Sequence, residues 1–255
     1  MVVDLFGKVP ETASSVRQRL ESVFEGAVFR KLCAGSPAAA IRRKLREVRR
    51  DRDRGRFAAL PFSKAPAFLR ELSARDGIAA RALEFGMLTA ARTGETLGAK
   101  WEESDLGTGA WTVAAERMKA GEAHVVYLSP RAASIVESMR ELRQSFVFPS
   151  PVLDGAPLSN MAMLTLLRRM DADKAMTVHG LCRATFSTWA YETAAARPDV
   201  IEACLAHRES DRVKAAYNRA QFAAERRALL LAWADYLDCK VPANELIEFP
   251  RAKAA

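Results

Sequence analysis

Two arginines, two histidines, a lysine and a tyrosine are the residues of this chain whose types and order could do chemistry together: Arg92, Lys119, His179, Arg183, His207 and Tyr217. They make a phosphate-clamping set with one phenol at its end. Breaking a phosphodiester with a tyrosine sets two requirements. The phenol, with an ordinary pKa of about 10, must be stabilised as it loses its proton. The nonbridging oxygens, which gather negative charge in the transition state, must be neutralised. Fixed cations answer both, and arginine suits best because its planar fork holds two oxygens and stays protonated. A lysine beside the leaving 5′ oxygen can supply a proton, and histidines can donate to the phosphate or accept from the phenol. Such chemistry needs no metal and no nucleotide cofactor.

Singly, each residue has a plainer role. Arg92 is a helical ion-pair partner for Glu95 three residues on, His207 a helix-ending histidine, and Tyr217 a packing residue like Tyr236. Only the ordered set carries the sharper reading. His124, at the start of a strand, stands outside it as an exposed residue or a minor phosphate contact. Trp101, Trp111, Trp189 and Trp233 belong to the core, and Met161, Met163 and Met170 to packing.

The elements that must position these residues are mostly helices. Val16, Leu20, Val23, Phe24 and Val28 recur at helical spacing from Pro10 to Lys31, with Thr12 or Ser14 as the cap. Gly35, Ser36 and Pro37 end that helix. The run from Ile41 to Arg56 then holds nine Lys/Arg against three acids. It reads equally as a solvated linker or as a basic strap on a phosphate backbone, with Arg42, Arg43, Lys44, Arg46, Arg49 and Arg50 as its contacts. A second unit begins near Leu60 with a helix carrying Phe68, Leu69 and Leu72, then an apolar helix from Ala79 to Ala91. Thr93 is placed to cap a further helix running to Lys100. AWTVAAERMK and HVVYLS alternate as two short strands about a turn at Ala120, Gly121 and Glu122. Pro130 to Arg143, LSNMAMLTLLRRM, CRATFSTWAYETA, VIEACLAH and ERRALLLAWADYL read as helices.

The chain has 255 residues, 49% hydrophobic and 27% charged, enough for one sizeable globular domain and a smaller piece. Its net charge of +8 favours a polyanionic partner, of which nucleic acid is the commonest. Cys33, Cys182, Cys204 and Cys239 form neither a CxxC pair nor a disulfide framework, so four free thiols in a reducing cytoplasm are expected. The N-terminus has no basic region ahead of an apolar run, and no apolar stretch of about 18 residues occurs.

AARTGETLGAKWEESDL (Ala90 to Leu106), ERMKAGEAHVVYLS, TVHGLCRATFSTW and LAHRESDRVKAAYNRA stand in this order, and the stretch from Leu60 to Asp238 resembles the catalytic domain of the tyrosine recombinases, phage-type integrases above all. The resemblance implies a mainly helical, α+β fold with a small antiparallel sheet. It puts Arg92 on the first clamping arginine with Glu95 as its supporting carboxylate, and Lys119 on the mobile lysine acid. His179 and Arg183 fall on the second box, His207 on the Leu-x-His box and Tyr217 on the nucleophile. The implied activity is site-specific cutting and rejoining of double-stranded DNA through a 3′-phosphotyrosine link, without cofactor. The implied assembly is a homotetramer on DNA, monomeric off it, with the helix from Ala224 to Leu237 docking in trans and an accessory factor for bending or direction. Type IB topoisomerase activity and a nonenzymatic DNA-binding remnant are the competing readings.

One feature departs from the family pattern. The second box is usually His-x-x-Arg, whereas His179-Gly180-Leu181-Cys182-Arg183 has three intervening residues. On a helix, positions i and i+4 still share a face, so both side chains are expected to reach one phosphate. Three segments are expected: 1–56, the end of a helical core-DNA-binding domain with its basic linker, 57–240, the catalytic domain, and 241–255, a loose tail. The start of the core-binding domain and any arm-site-binding domain are expected to be absent.

Overall fold

The computed structural model of the protein describes residues 9–39, 41–42, 58–118, 121–142, 145–170, 172–173, 175–207 and 222–240. The chain divides into two units, Met1–Arg56 and Phe57–Ala255. No helix among the described residues is long and apolar enough to cross a membrane.

In the first unit, helix α1 (Pro10–Phe29) begins on proline, whose fixed φ and missing N–H suit a first helical turn. Its N-cap is Val9, without a side-chain cap, rather than Thr12 or Ser14. Glu21 is buried and takes ion pairs from Arg17 and Arg42. The expected apolar stripe is only partly covered, since Val23 is 67% and Val28 38% exposed within the described residues.

The second unit is built around α3 (Ile78–Thr89), a helix apolar nearly all round and therefore buried on most sides. Helices α2 (Ala65–Ser73), α4 (Thr93–Leu97), α5 (Pro130–Met139), α6 (Ala162–Arg169) and α9 (Ala223–Leu237) all pack on it. Glu84 of α3, 2% exposed, is paired with Arg81 and Arg131, and Arg131 also reaches Ser73 and Asp238. A buried carboxylate is tolerated only with such partners. This one ties α2, α3, α5 and the end of α9 together.

The sheet is antiparallel in the order β1 (Ser104–Asp105), β2 (Ala110–Val113), β3 (His124–Tyr127). The alternating pattern places β2 and β3, which pair Trp111 with Val126 and bury Trp111 and Val113 while Thr112 faces out, but the first strand stops at Val113 and the expected continuation is a 3-10 turn over Ala115–Arg117. The two-residue strand β1 is too short to show any alternation.

Three expectations change in this unit. Helix α9 lies in the core of its own chain, packed on α2, α3, α8 (Pro198–Cys204) and β3, so it is not a free arm for docking in trans. Its Trp233 is fully buried, donates from Nε1 to Met87 at 2.8 Å, and meets Phe186, Trp189 and Tyr236 with ring centroids 5.0–5.7 Å apart. Each such aromatic pair adds about 0.5–1.5 kcal/mol beyond its burial. Trp101 sits at the core margin under the Arg140 guanidinium, and Met161 is exposed while Met163 and Met170 are buried. All four cysteines are free thiols.

Candidate active site

Arg92 reaches its place through a turn that its neighbours force. Helix α3 ends at Ala90 in the left-handed region, φ 51°, a conformation that costs a non-glycine residue roughly 1–2 kcal/mol. That turn starts the chain toward α4, whose N-cap is Arg92 and not Thr93. Glu95, 5% exposed, accepts from the Arg92 backbone N–H at 2.9 Å and from its guanidinium Nη1 at 2.6 Å. The carboxylate thus orders both ends of the arginine, and its place in the first turn suits the helix dipole.

The second box is held differently from expectation. After His179 the chain makes a π turn, Gly180–Ala184, and continues as α7 (Thr185–Glu192). Thr185 donates from its backbone N–H to the Gly180 carbonyl, five residues back, while its hydroxyl donates to the carbonyls of Leu60 and Gly180. The extra residue between His179 and Arg183 is absorbed by this wider turn instead of shifting the following helix round its axis. Gly180 is required there, because a Cβ on it would lie 2.2 Å from the Ala58 carbonyl oxygen.

The two boxes converge on one turn. Arg183 is 3% exposed and donates from Nη1 to Ala90 at 2.8 Å and from Nη2 to Leu205 at 2.5 Å. Arg92 Nη2 donates to Leu205 at 3.3 Å and to Ala206 at 3.2 Å. Ala206, with φ 47°, turns the chain at the end of α8 and delivers His207, whose Nε2 lies 3.0 Å from Arg183 Nη2. His179 is close enough to feel all three: burial first, then the charges of Arg183, Arg92 and His207, hold its pKa below the ordinary value. Burial first, and the Arg92 charge second, push the Arg183 pKa down to about 10. Cationic charge is therefore concentrated where an anion would relieve it.

Arg92, Glu95, His179, Arg183 and His207 are thus brought together. Lys119 and Tyr217 lie outside the described residues, as do Arg43, Lys44, Arg46, Arg49 and Arg50. Arg42 is described, half exposed and paired with Glu21 in the first unit. Gly121 donates to the Met118 carbonyl at 3.0 Å.

Several residues that support the site were not evident in the sequence. Arg117, two positions before Lys119, donates to the Glu95 carbonyl at 2.6 Å and pairs with Glu103, so it fastens the hairpin to the Arg92 helix. Gly98 makes room for it, since a Cβ there would lie 2.8 Å from Arg117 Nη2. His124 is not exposed but partly buried beside Arg226, which also donates to Val125 and stacks over Tyr127. Burial first, then the Arg226 charge, push His124 down to about 4, so it is neutral near pH 7. Burial pushes the Cys182 and Cys204 thiols up to about 12, which leaves them unreactive as nucleophiles. The only signal for Arg117 is its nearness to Lys119, and nothing in the sequence pairs Arg226 with β3.

Residues 62–224 match the phage integrase family. The chain belongs to that family. It is 34% identical over 238 residues to prophage integrase IntZ of Escherichia coli (strain K12), covering 92% of this chain and 58% of that one. It is 29% identical over 254 residues to the integrase of Enterobacteria phage P4, covering 92% of this chain and 57% of the relative. The chain therefore spans a little over half the length of these curated relatives. Among solved structures, it is similar to the Tn1549 transposon integrase (aa 82-397) in complex with circular intermediate DNA, with TM-score 0.58 and 15% identity over 92% of this chain and 82% of that chain. A lambda integrase(75-356) dimer bound to a COC' core site gives TM-score 0.56 and 17% identity over 86% and 78%. These likenesses bear on the fold, which is the mainly helical one with a small antiparallel sheet.

Proposed function

We propose that this integrase-family chain is a site-specific DNA recombinase that cuts one strand through Tyr217, forms a 3′-phosphotyrosine link and rejoins the strand to a second duplex. The observation that carries the reading is the convergence of Arg92 and Arg183 on the turn that presents His207. Glu95 balances only one of these two guanidinium charges, and a phosphodiester, the anion that the family's chemistry uses, would neutralise the excess. Arg92 and Arg183 neutralise its nonbridging oxygens, and His179 and His207 bond to phosphate or nucleophile. Lys119 protonates the leaving 5′ oxygen, and Glu95 keeps Arg92 aligned.

Double-stranded DNA is the substrate. The relatives named above are integrases, the Tn1549 transposon integrase is in complex with circular intermediate DNA, and the lambda integrase dimer is bound to a COC' core site. Residues 1–56 supply a core-DNA-binding segment, with Arg42, Arg43, Lys44, Arg46, Arg49 and Arg50 along the phosphate backbone. Four protomers assemble on DNA, in the cytoplasm, with an accessory protein setting bend or direction. Residues 57–240 are the catalytic domain, and 241–255 its tail. Incubation with a pool of nicked duplexes of random core sequence tests the reading. A detergent-resistant protein–DNA adduct is expected, and its absence under conditions where the DNA is bound would contradict strand cleavage.

A further inference from the structure

His207 is gripped on both ring nitrogens. Its Nε2 lies 3.0 Å from Arg183 Nη2, and its Nδ1 lies 2.6 Å from Glu202 Oε2. A guanidinium has only donors, so Nε2 is the acceptor in the first contact and the proton of the neutral ring must sit on Nδ1. The second contact is then Nδ1–H donating to a carboxylate. The other oxygen of that carboxylate, Oε1, accepts from the Tyr191 hydroxyl at 2.7 Å. Burial first, and Glu202 second, push the Tyr191 phenol up to about 12, so it stays protonated as the donor this arrangement needs.

The three residues come from separate elements: Tyr191 from α7, Glu202 from α8 and His207 from the turn after α8. Their side chains are each more than two fifths exposed. A surface ion pair of this kind adds little to stability. What it does supply is orientation, since a second partner on the far nitrogen of a histidine selects its tautomer and its ring angle.

We infer that Glu202 is a positioning residue for His207: its carboxylate, held by Tyr191, fixes the imidazole as the Nδ1–H tautomer and leaves the Nε2 lone pair facing the arginine pair. The inference rests on the recombinase reading for its chemical consequence. In that reaction the phosphate takes the Arg183 donor from His207, the Nε2 lone pair so released accepts the Tyr217 phenol proton, and the phenol oxygen forms the bond to phosphorus. The bond from phosphorus to the 5′ oxygen breaks, and that oxygen takes a proton from Lys119. Glu202 stabilises the imidazolium that results, and the reverse transfers restore each group on rejoining. A ring held as the Nε2–H tautomer would have no lone pair to offer.

The test uses the fact that the chain has three histidines in all. The full chain is labelled with ¹⁵N-histidine, and the three rings are assigned with His124→Gln and His179→Gln. Long-range ¹H–¹⁵N spectra at about pH 8, above the ordinary imidazole range, then show which ring nitrogen carries each proton. His207 is expected as the Nδ1–H form in the native chain and in Glu202→Gln, whose amide oxygen can still accept. In Glu202→Ala it is expected to shift toward Nε2–H. A native His207 in the Nε2–H form, or one unchanged in Glu202→Ala, would overturn the inference. A nicked duplex gives the second readout, where adduct formation should fall roughly 10–100-fold in Glu202→Ala with DNA affinity unchanged. Glu202→Gln should fall too, having lost the charge, and Glu202→Asp should recover part of the rate. Full cleavage by Glu202→Ala would also overturn it. A native chain that binds DNA but never cleaves it would count against the recombinase reading, while the tautomer result still decides the role of Glu202.

Discussion

The guanidinium groups of Arg92 and Arg183 donate to one and the same carbonyl oxygen, that of Leu205, at 3.3 and 2.5 Å. Two cations from separate boxes are thereby fixed against the turn that presents His207, and neither needs DNA to find its place. Pre-set donors cost no reorganisation when charge develops on the phosphate.

Arg183→Lys should abolish measurable strand cleavage despite keeping the charge. Arg183 holds the Ala90 and Leu205 carbonyls with two different nitrogens, and a lysine cannot span both. The variant is also expected to lose about 1–3 kcal/mol of stability through the carbonyl it leaves unpaired. Adduct yield and a urea melt check the two effects. A variant cleaving within about tenfold of the native rate would exclude fork geometry as the reason for arginine.

Gly180→Ala should destabilise by about 1–3 kcal/mol, because the added methyl must push away the Ala58 carbonyl. For a chain of this size each kcal/mol corresponds to a Tm fall of about 2–4 °C. Calorimetry checks this, and an unchanged Tm would mean that the contact between Ala58 and the π turn is not held in solution.

Stability should fall as the solution is acidified from about pH 6.5 toward 4. The folded pKa of His124 lies near 4, below its unfolded value of 6.5, so across that window the unfolded chain binds the extra proton and is favoured. His179 is shifted in the same direction. One such group contributes a slope of about 1.4 kcal/mol per pH unit inside the window and nothing above it. His124→Gln should flatten the curve measured by urea unfolding, and an equal slope in that variant would acquit His124.

DNA binding should weaken steeply with salt. If the basic run contributes about six phosphate contacts, affinity falls about 10³-fold between 50 and 200 mM salt. Replacing Arg42, Arg43, Lys44, Arg46, Arg49 and Arg50 by glutamine should flatten that dependence. Gel shifts across the salt range measure it, and a native affinity that barely changes would remove the strap from the interface.

Arg92, Glu95, His179, Arg183 and His207, which the fold gathers, could be singled out in the sequence because they sit in recognisable words, and the helices because their periods and prolines mark them. The π turn was not, since a three-residue gap between His179 and Arg183 reads equally well as ordinary α-helix, and only the packing of Gly180 on Ala58 decides it. Helix α9 misled for a related reason. The resemblance implied an arm for a neighbour, and a helix buried on most sides has no polar face to show that it packs within its own chain. His124 looked exposed because strand alternation says nothing about Arg226, which arrives from about a hundred residues further along the chain. Glu202 was overlooked because a glutamate five residues before a histidine has no helical register with it, and the left-handed turn at Ala206 is what closes the gap.

The most direct measurement is the mapping of the covalent adduct by mass spectrometry after digestion of the complex trapped on a nicked duplex. Tyr127, Tyr191 and Tyr236 are already occupied in the fold, under arginines, on Glu202 and against the Phe62 carbonyl respectively. The account predicts a nucleotide adduct on the peptide that contains Tyr217, joined through a 3′ phosphate and lost in Tyr217→Phe. An adduct on any other residue, or a 5′ linkage, would contradict it.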